Sequence, residues 1–249
     1  GFSEIIGTEG IHSIYESTAT DNTNNTPEDD DLLEPVNWAR VSATNKWAML
    51  SDQLNDQTVG SGIEVVILPG VEIDNMDFFN VDAETIQIVV NDGTERYNET
   101  FTLEENFLLP GIRQDTLSVL DLPLGFPDAE ITVTFENTSG DTKCGRMIMG
   151  NQKLIGTVED GANLGIIDFS KKKQDTFGNL VIQELGFANR GDFTIFIETT
   201  DVGAVKQFLS ILRSTPTAYI ADINVSSAIF YGYYKDFNIR VGPNASTLT

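Results

Sequence analysis

The amino-acid sequence predicts a mainly β protein. The expected architecture is an antiparallel, jelly-roll-like β-sandwich followed by a second β-rich unit with one α-helix between strands. Three observations lead there. From Ile63 onward, short apolar-rich runs recur between clusters of Gly, Pro, Asn and Asp, the mark of short strands joined by turns. Only the stretch 202–213 spaces its apolar residues at helical period. Residues 17–35 are rich in Thr, Asn and Asp and show no period. The expected divisions are an acidic arm at 1–36, a sandwich at 37–150 and a β-rich domain at 151–249.

The elements follow in order. Residues 17–35 read as an extended arm or long loop. The run Glu28–Asp31 reads as a solvated face, since a calcium loop needs alternating oxygen ligands and a turn glycine. Both tryptophans, Trp38 and Trp47, lie in Val36–Leu50, where arm meets sandwich. Each ring is costly to leave in water and carries an N–H to satisfy, so the stretch reads as a docking seam. Trp47 is expected to anchor the start of the core, and Trp38 to pin the arm or a neighbouring subunit.

Ile63–Leu68 is a strand ended by Pro69-Gly70. Thr85–Val90 and Glu95–Leu103 flank Asn91-Asp92-Gly93, a hairpin signal. Ile131–Phe135 alternates strictly, and Lys143–Met149 is the next strand. Gly165–Ser170 and Leu180–Leu185 flank a polar connection, Lys171–Asn179, with a turn at Phe177-Gly178-Asn179. Phe193–Glu198 precedes the helix. Asp201 is the expected N-cap, and Val202, Val205, Phe208, Leu209 and Leu212 form its apolar stripe. Arg213 suits its end and Pro216 stops it. Thr217–Ile220, Ala228–Tyr234 and Lys235–Val241 complete the second unit. Strand alternation puts Phe230, Gly232 and Tyr234 on one face and Tyr231 and Tyr233 on the other.

Charge and composition narrow the function. The 249 residues carry a net charge of −23. Residues 1–125 hold 24 acidic and 4 basic residues, net −20, and residues 126–249 hold 14 and 11, net −3. Such a surface repels nucleic acid and anionic membranes, so neither is an expected partner. No run of 18 apolar residues exists to span a bilayer. The start, Gly1-Phe-Ser-Glu-Ile-Ile, lacks the basic region and cleavage site of a signal peptide.

Catalytic constellations fare poorly. One cysteine, Cys144, and one histidine, His12, leave no disulfide framework and no four-ligand Cys/His zinc site. His12 sits in the polar N-terminal segment, outside any expected core, which disfavours a nucleophile–histidine arrangement. Gly60-Ser-Gly62 and Gly161–Gly165 lack the lysine and the strand–helix setting of a phosphate loop. A carboxylate pair for glycoside hydrolysis is open to any chain with 38 acidic residues, but no distinctive motif marks one. The expected protein is therefore not an enzyme and has no cofactor. Lys171-Lys172-Lys173, the only basic run, reads as a solvated tip or as a contact to the acidic half of a neighbouring subunit. Tyr231 and Tyr233 belong to an aromatic cluster suited to core and subunit contact, or to stacking on sugars.

The run Asn37–Leu50 resembles the W-x-x-V/I-x-x-T-N-x-W-x-M motif of tail-associated structural proteins of tailed bacteriophages and prophages. Trp38, Val41, Thr44, Asn45, Trp47 and Met49 carry the match. Phe78–Ala83, Pro127–Phe135, Lys143–Gly145, Leu164–Ser170 and Tyr231–Phe237 are similar to the same group. Ile11–Ser17 with the later Trp38 resembles the second half of a chitin-binding-type module. The middle is compatible with galactose-binding-like jelly rolls of baseplates, and Phe193–Ile239 is similar to the ring-forming domain of distal tail proteins.

The resemblance implies a non-catalytic tail-tip or baseplate component, made in the bacterial host cytoplasm and located in the virion tail. It would assemble with copies of itself, as a ring or trimer, and with other tail proteins. Trp38, Lys171, Lys172, Lys173, Tyr231 and Tyr233 are its assembly candidates. The alternative is a module that binds host surface glycans, with Tyr15 and Trp38 as the stacking rings.

Overall fold

A computed structural model describes residues 2–6 (backbone only), 12–27, 34, 36–159, 162–174, 176–243 and 245–249. The acidic run Glu28–Asp31 lies outside these residues. The chain divides into two units, Gly1–Gln152 and Lys153–Thr249.

The first unit opens with three antiparallel strands, β1 (Phe2–Ile6), β2 (His12–Ser17) and β3 (Trp38–Ala43), paired in that order. Eight further strands follow: β4 (Thr58–Gly60), β5 (Ile63–Ile67), β6 (Asn75–Asp82), β7 (Thr85–Asn91), β8 (Glu95–Thr102), β9 (Thr116–Leu120), β10 (Glu130–Glu136) and β11 (Thr142–Gly150). They form two sheets, β5-β10-β7-β8 and β4-β11-β6-β9, with every neighbour antiparallel. The first strand of the eight pairs with the last, the second with the seventh, the third with the sixth and the fourth with the fifth. That is one long folded hairpin wrapped over two sheets, the jelly-roll topology expected from the sequence.

Alternation builds the core. Ile86, Ile88 and Val90 of β7 and Ile131, Val133 and Phe135 of β10 point inward, and Phe78 meets Phe135 edge-on at 5.6 Å. Each such fully buried side chain contributes about 1.5–3 kcal/mol. Cys144 is fully buried, and burial pushes its thiol up to about 12, so it packs as a small apolar group.

Three strands of the sandwich escape the sequence reading: β4, β6 and β9. β6 looks like a loop, because Asn75, Asp77, Asn80 and Asp82 interrupt its apolar residues. It is nonetheless a central strand. The core residues Phe78 and Val81 are three apart, as are their partners Met147 and Cys144 on β11. An odd spacing cannot keep one face of a period-two strand, so both strands reverse their facing at Asn80 and Gly145. Asn80 takes φ +54, and its side chain donates to Leu54 O at 2.8 Å. A Cβ on Gly145 would run into that same carbonyl oxygen.

The second unit has β12 (Thr157–Val158), β13 (Asn163–Asp168), β14 (Lys171–Gln174), β15 (Leu180–Gln183), β16 (Phe187–Asp192), β17 (Ile195–Glu198), helix α1 (Val202–Leu212), β18 (Thr217–Ile220), β19 (Ile229–Gly232), β20 (Ile239–Arg240) and β21 (Ala245–Leu248). Its main sheet is β12-β17-β21-β20, and α1 supplies Val205 and Leu209 to a small core with Ile197 and Leu248. Asp201 does not cap the helix as expected. Its backbone is already helical (φ −95, ψ −8), and its carboxylate accepts no capping hydrogen bond. Arg213 acts as expected, donating to Ser210 O at 2.9 Å. Lys235–Val241 forms a strand only at Ile239–Arg240. β19 ends at Gly232, so Tyr234 leaves the strand and donates its hydroxyl to Leu209 O at 2.5 Å.

Among the described residues, 29 apolar side chains are buried, and only six of them (Ile197, Val205, Leu209, Ala228, Ile229 and Leu248) lie in the second unit. That unit therefore holds a thin core of its own.

Candidate functional site

The tryptophan seam turns out to be a bracket. Thr44 N donates to His12 O at 2.9 Å, and a 3₁₀ turn runs from Asn45 to Leu50. The Asn45 amide donates to Val59 O and accepts from Val59 N, at 2.9 and 2.8 Å, in the manner of a strand partner. Thr58 Oγ1 donates to Asn45 O at 2.7 Å and accepts from Met49 N at 3.0 Å. The turn thereby places Ala48 and Met49 inward.

Trp47 does not anchor the core. In a 3₁₀ turn residues three apart eclipse, and Trp47 and Leu50 share the outer side. Trp47 is 36% exposed, and its ring stacks on His12, with centroids 4.5 Å apart and planes 9° apart. His12, expected outside any packed region, is half-buried on β2. Trp38 is half-buried, and its indole N–H donates to Asn25 O at 3.0 Å, across to the arm. Tyr15 is 5% exposed, so its ring is packed away from solvent. Tyr15 and Trp38 therefore lie on adjoining strands, but no open aromatic platform joins them.

A second feature of this unit had no counterpart in the sequence reading. The loop from β8 to β9 presents Phe107, Leu108, Leu109 and Ile112 to solvent, with Phe107 89% exposed. The loop is held firmly. Leu109-Pro110-Gly111-Ile112 is a type II turn, with Gly111 at φ +86 and Ile112 N donating to Leu109 O at 3.0 Å. Asn106 N donates to Ile112 O at 2.7 Å, and Leu108 N to Asn106 Oδ1 at 2.9 Å. Arg113 fixes the base through Glu84 at 3.2 Å and Glu105 at 3.6 Å. The Pro110-Gly111 pair within an apolar run was the available signal.

In the second unit, Lys171-Lys172-Lys173 is not part of a polar connection. It is strand β14, paired with β15 from Lys171↔Gln183 to Gln174↔Leu180. Gly178, at φ +88, lets the turn close, and cross-strand pairing then carries the lysines into the ladder. Below it, β13 pairs with β16 from Asn163↔Asp192 to Asp168↔Phe187. Phe169 N to Gly186 O at 3.2 Å and Leu185 N to Ser170 Oγ at 3.1 Å join the two ladders into one ribbon, 163–192.

The ribbon exposes ten large apolar side chains: Leu164, Ile166, Ile167, Phe169, Phe177, Leu180, Val181, Ile182, Leu185 and Phe187. Phe177, in the turn, is 88% exposed. Its charges sum to zero, four acidic and four basic, in a chain of −23. Lys172 pairs with Asp168 at 2.9 Å and Arg190 with Asp192 at 2.8 Å. Hydrogen bonds from Ser170 and Lys172 hold the Asp168 carboxyl well below the usual range. Lys171 and Lys173 stand in no ion pair among the described residues and line a shallow open groove with Val181 and Gln183. Of the aromatic candidates, Tyr233 is exposed and Tyr231 half-buried.

Among the described residues no three His, Cys, Asp or Glu side chains gather into a metal-binding group, and no helix is long and apolar enough to cross a membrane. No protein-family model, curated protein or solved structure matches the chain.

Proposed function

We propose that this chain is a non-catalytic structural subunit of a phage tail tip or baseplate, assembling with copies of itself and with other tail proteins. The observation that carries assembly is the 163–192 ribbon. A two-stranded ribbon is marginally stable alone in water. One that also exposes ten large apolar side chains, on a unit with a thin core, has the surface of a protein awaiting a partner. Zero net charge, in a half of the chain that carries only −3, lets such a ribbon approach the ribbon of another copy with little of the repulsion that −20 imposes on residues 1–125. The tail setting rests on the resemblance at Asn37–Leu50 and the stretches after it.

Electron microscopy and light scattering of the purified chain test the reading. Closed assemblies, or specific co-assembly with tail particles, are expected. A chain that stays single at every concentration and joins no particle overturns it.

Glycan binding is the second reading. It draws support from Trp47, a partly exposed indole that stacks on His12, with Lys46 Nζ over the ring 5.9 Å from its centroid. Binding on a glycan array that is lost with Trp47→Ala, while the fold is kept, would establish it. The absence of any glycan binding would end it.

A further inference from the structure

We propose that the 163–192 ribbon of one copy packs face to face on the same ribbon of a second copy, about a two-fold axis, through Leu164, Ile166, Leu180, Ile182 and Phe187. The inference deepens the assembly reading and rests on it.

Strand pairing sorts the ribbon into two faces. Partners across an antiparallel ladder point to the same side, and neighbours along a strand point to opposite sides. In the β13–β16 ladder, Asp168↔Phe187 and Ile166↔Asn189 share one face, and Leu164↔Gly191 continues it. In the β14–β15 ladder, Lys172↔Ile182 and Gln174↔Leu180 share one face. The Lys172–Asp168 ion pair at 2.9 Å joins these into a single face. The opposite face holds Lys171, Lys173, Arg190 and Asp192 beside Ile167 and Val181. The ribbon is thus amphipathic, and Lys171 and Lys173 lie on its solvated side.

The apolar face carries one acid and one base, Asp168 and Lys172, and they neutralise each other. A strongly charged partner finds no unmatched charge there. A second copy of the same face meets it without repulsion, and the lysines of both copies point outward, away from the contact. At its base the face continues onto the edge-on Phe193–Phe230 pair, whose rings fill the space where a Cβ of Gly191 would stand. The five contact side chains are 45–64% exposed. At on the order of 100 Å² each, two such faces bury roughly 1,000 Å², the lower end for a specific interface. Two stacked ribbons also make a four-stranded, two-layer unit, which gives each the second layer that a lone ribbon lacks. The same patch on both copies closes a two-fold contact, and its modest area makes the dimer concentration-dependent.

The test uses the full chain and two double variants of matched chemistry on opposite faces. The first is Ile166→Thr with Ile182→Thr, and the second is Ile167→Thr with Val181→Thr. Threonine keeps the strand preference of the ribbon. Circular dichroism checks that each variant keeps the wild-type fold, and light scattering reads the mass over a concentration series. The wild type is expected to rise from the 27.3 kDa of one chain to twice that mass. The first variant is expected to stay single, and the second to double as the wild type does. A first variant that still doubles, or a second variant that stays single, overturns this contact and leaves assembly standing. So does a wild type that settles at three chain masses. A wild type that is single at every concentration overturns assembly itself. If a variant loses the wild-type spectrum, hydrogen exchange of the wild type reads the same contact. Ribbon amides that exchange several-fold more slowly in the doubled species support it, and an unchanged rate overturns it.

Discussion

Individual residues show where the jelly roll has no slack. Gly145 faces Leu54 O so closely that a methyl group cannot fit without moving backbone. Gly145→Ala should cost about 1–3 kcal/mol, read as a lowered denaturant midpoint. Asp77 is a second such position. It is 1% exposed on β6 and accepts hydrogen bonds from Ser118 and Asn75. Burial pushes its carboxyl above the ordinary 3.8, against the pull of those two donors. A raised folded-state value contributes stability that is full below the unfolded value and is lost as pH rises through the folded one. Asp77→Asn removes that loss. The stability of the variant relative to the wild type should therefore grow as pH is raised from about 3 to neutrality. Denaturant titrations across that range check it, and a difference that stays flat would contradict it.

At the scale of elements, the 45–50 turn ties β4 to β2. Thr44, Asn45 and Met49 hold β4 against β2 through named hydrogen bonds, so their spacing serves the fold. Asn45→Ala should cost about 1 kcal/mol through its two lost bonds to Val59. Strands β7 and β10 were legible in the sequence because one face is apolar and the other polar. β6 was not, because the sheet buries polar Asn75 and Asp77 beside Met76 and Phe78, and composition alone then resembles a loop. The helix was legible from its stripe, but its cap was not, since the turn after β17 had already set Asp201 helical. The ribbon strands β13 and β15 were visible as apolar runs. That the fold leaves them uncovered depends on what packs beside them, which no local pattern encodes. The β8–β9 loop escaped for the same reason.

Across the whole molecule, apolar surface is unevenly disposed. The first unit buries a two-sheet core, and the second leaves a ribbon of apolar side chains in water. Residues 1–125 carry −20 of the net −23, and the second half, ribbon included, is close to neutral. The proposed ribbon contact is largely apolar, so assembly through it should survive raised salt better than a purely ionic contact would. Scattering mass measured across a salt series checks this. The assembly claim itself is tested most directly by sedimentation equilibrium of the full chain over a wide concentration range. The account predicts a mass that rises above 27.3 kDa to a fixed multiple of one chain. A mass that stays at one chain across the whole range would contradict it.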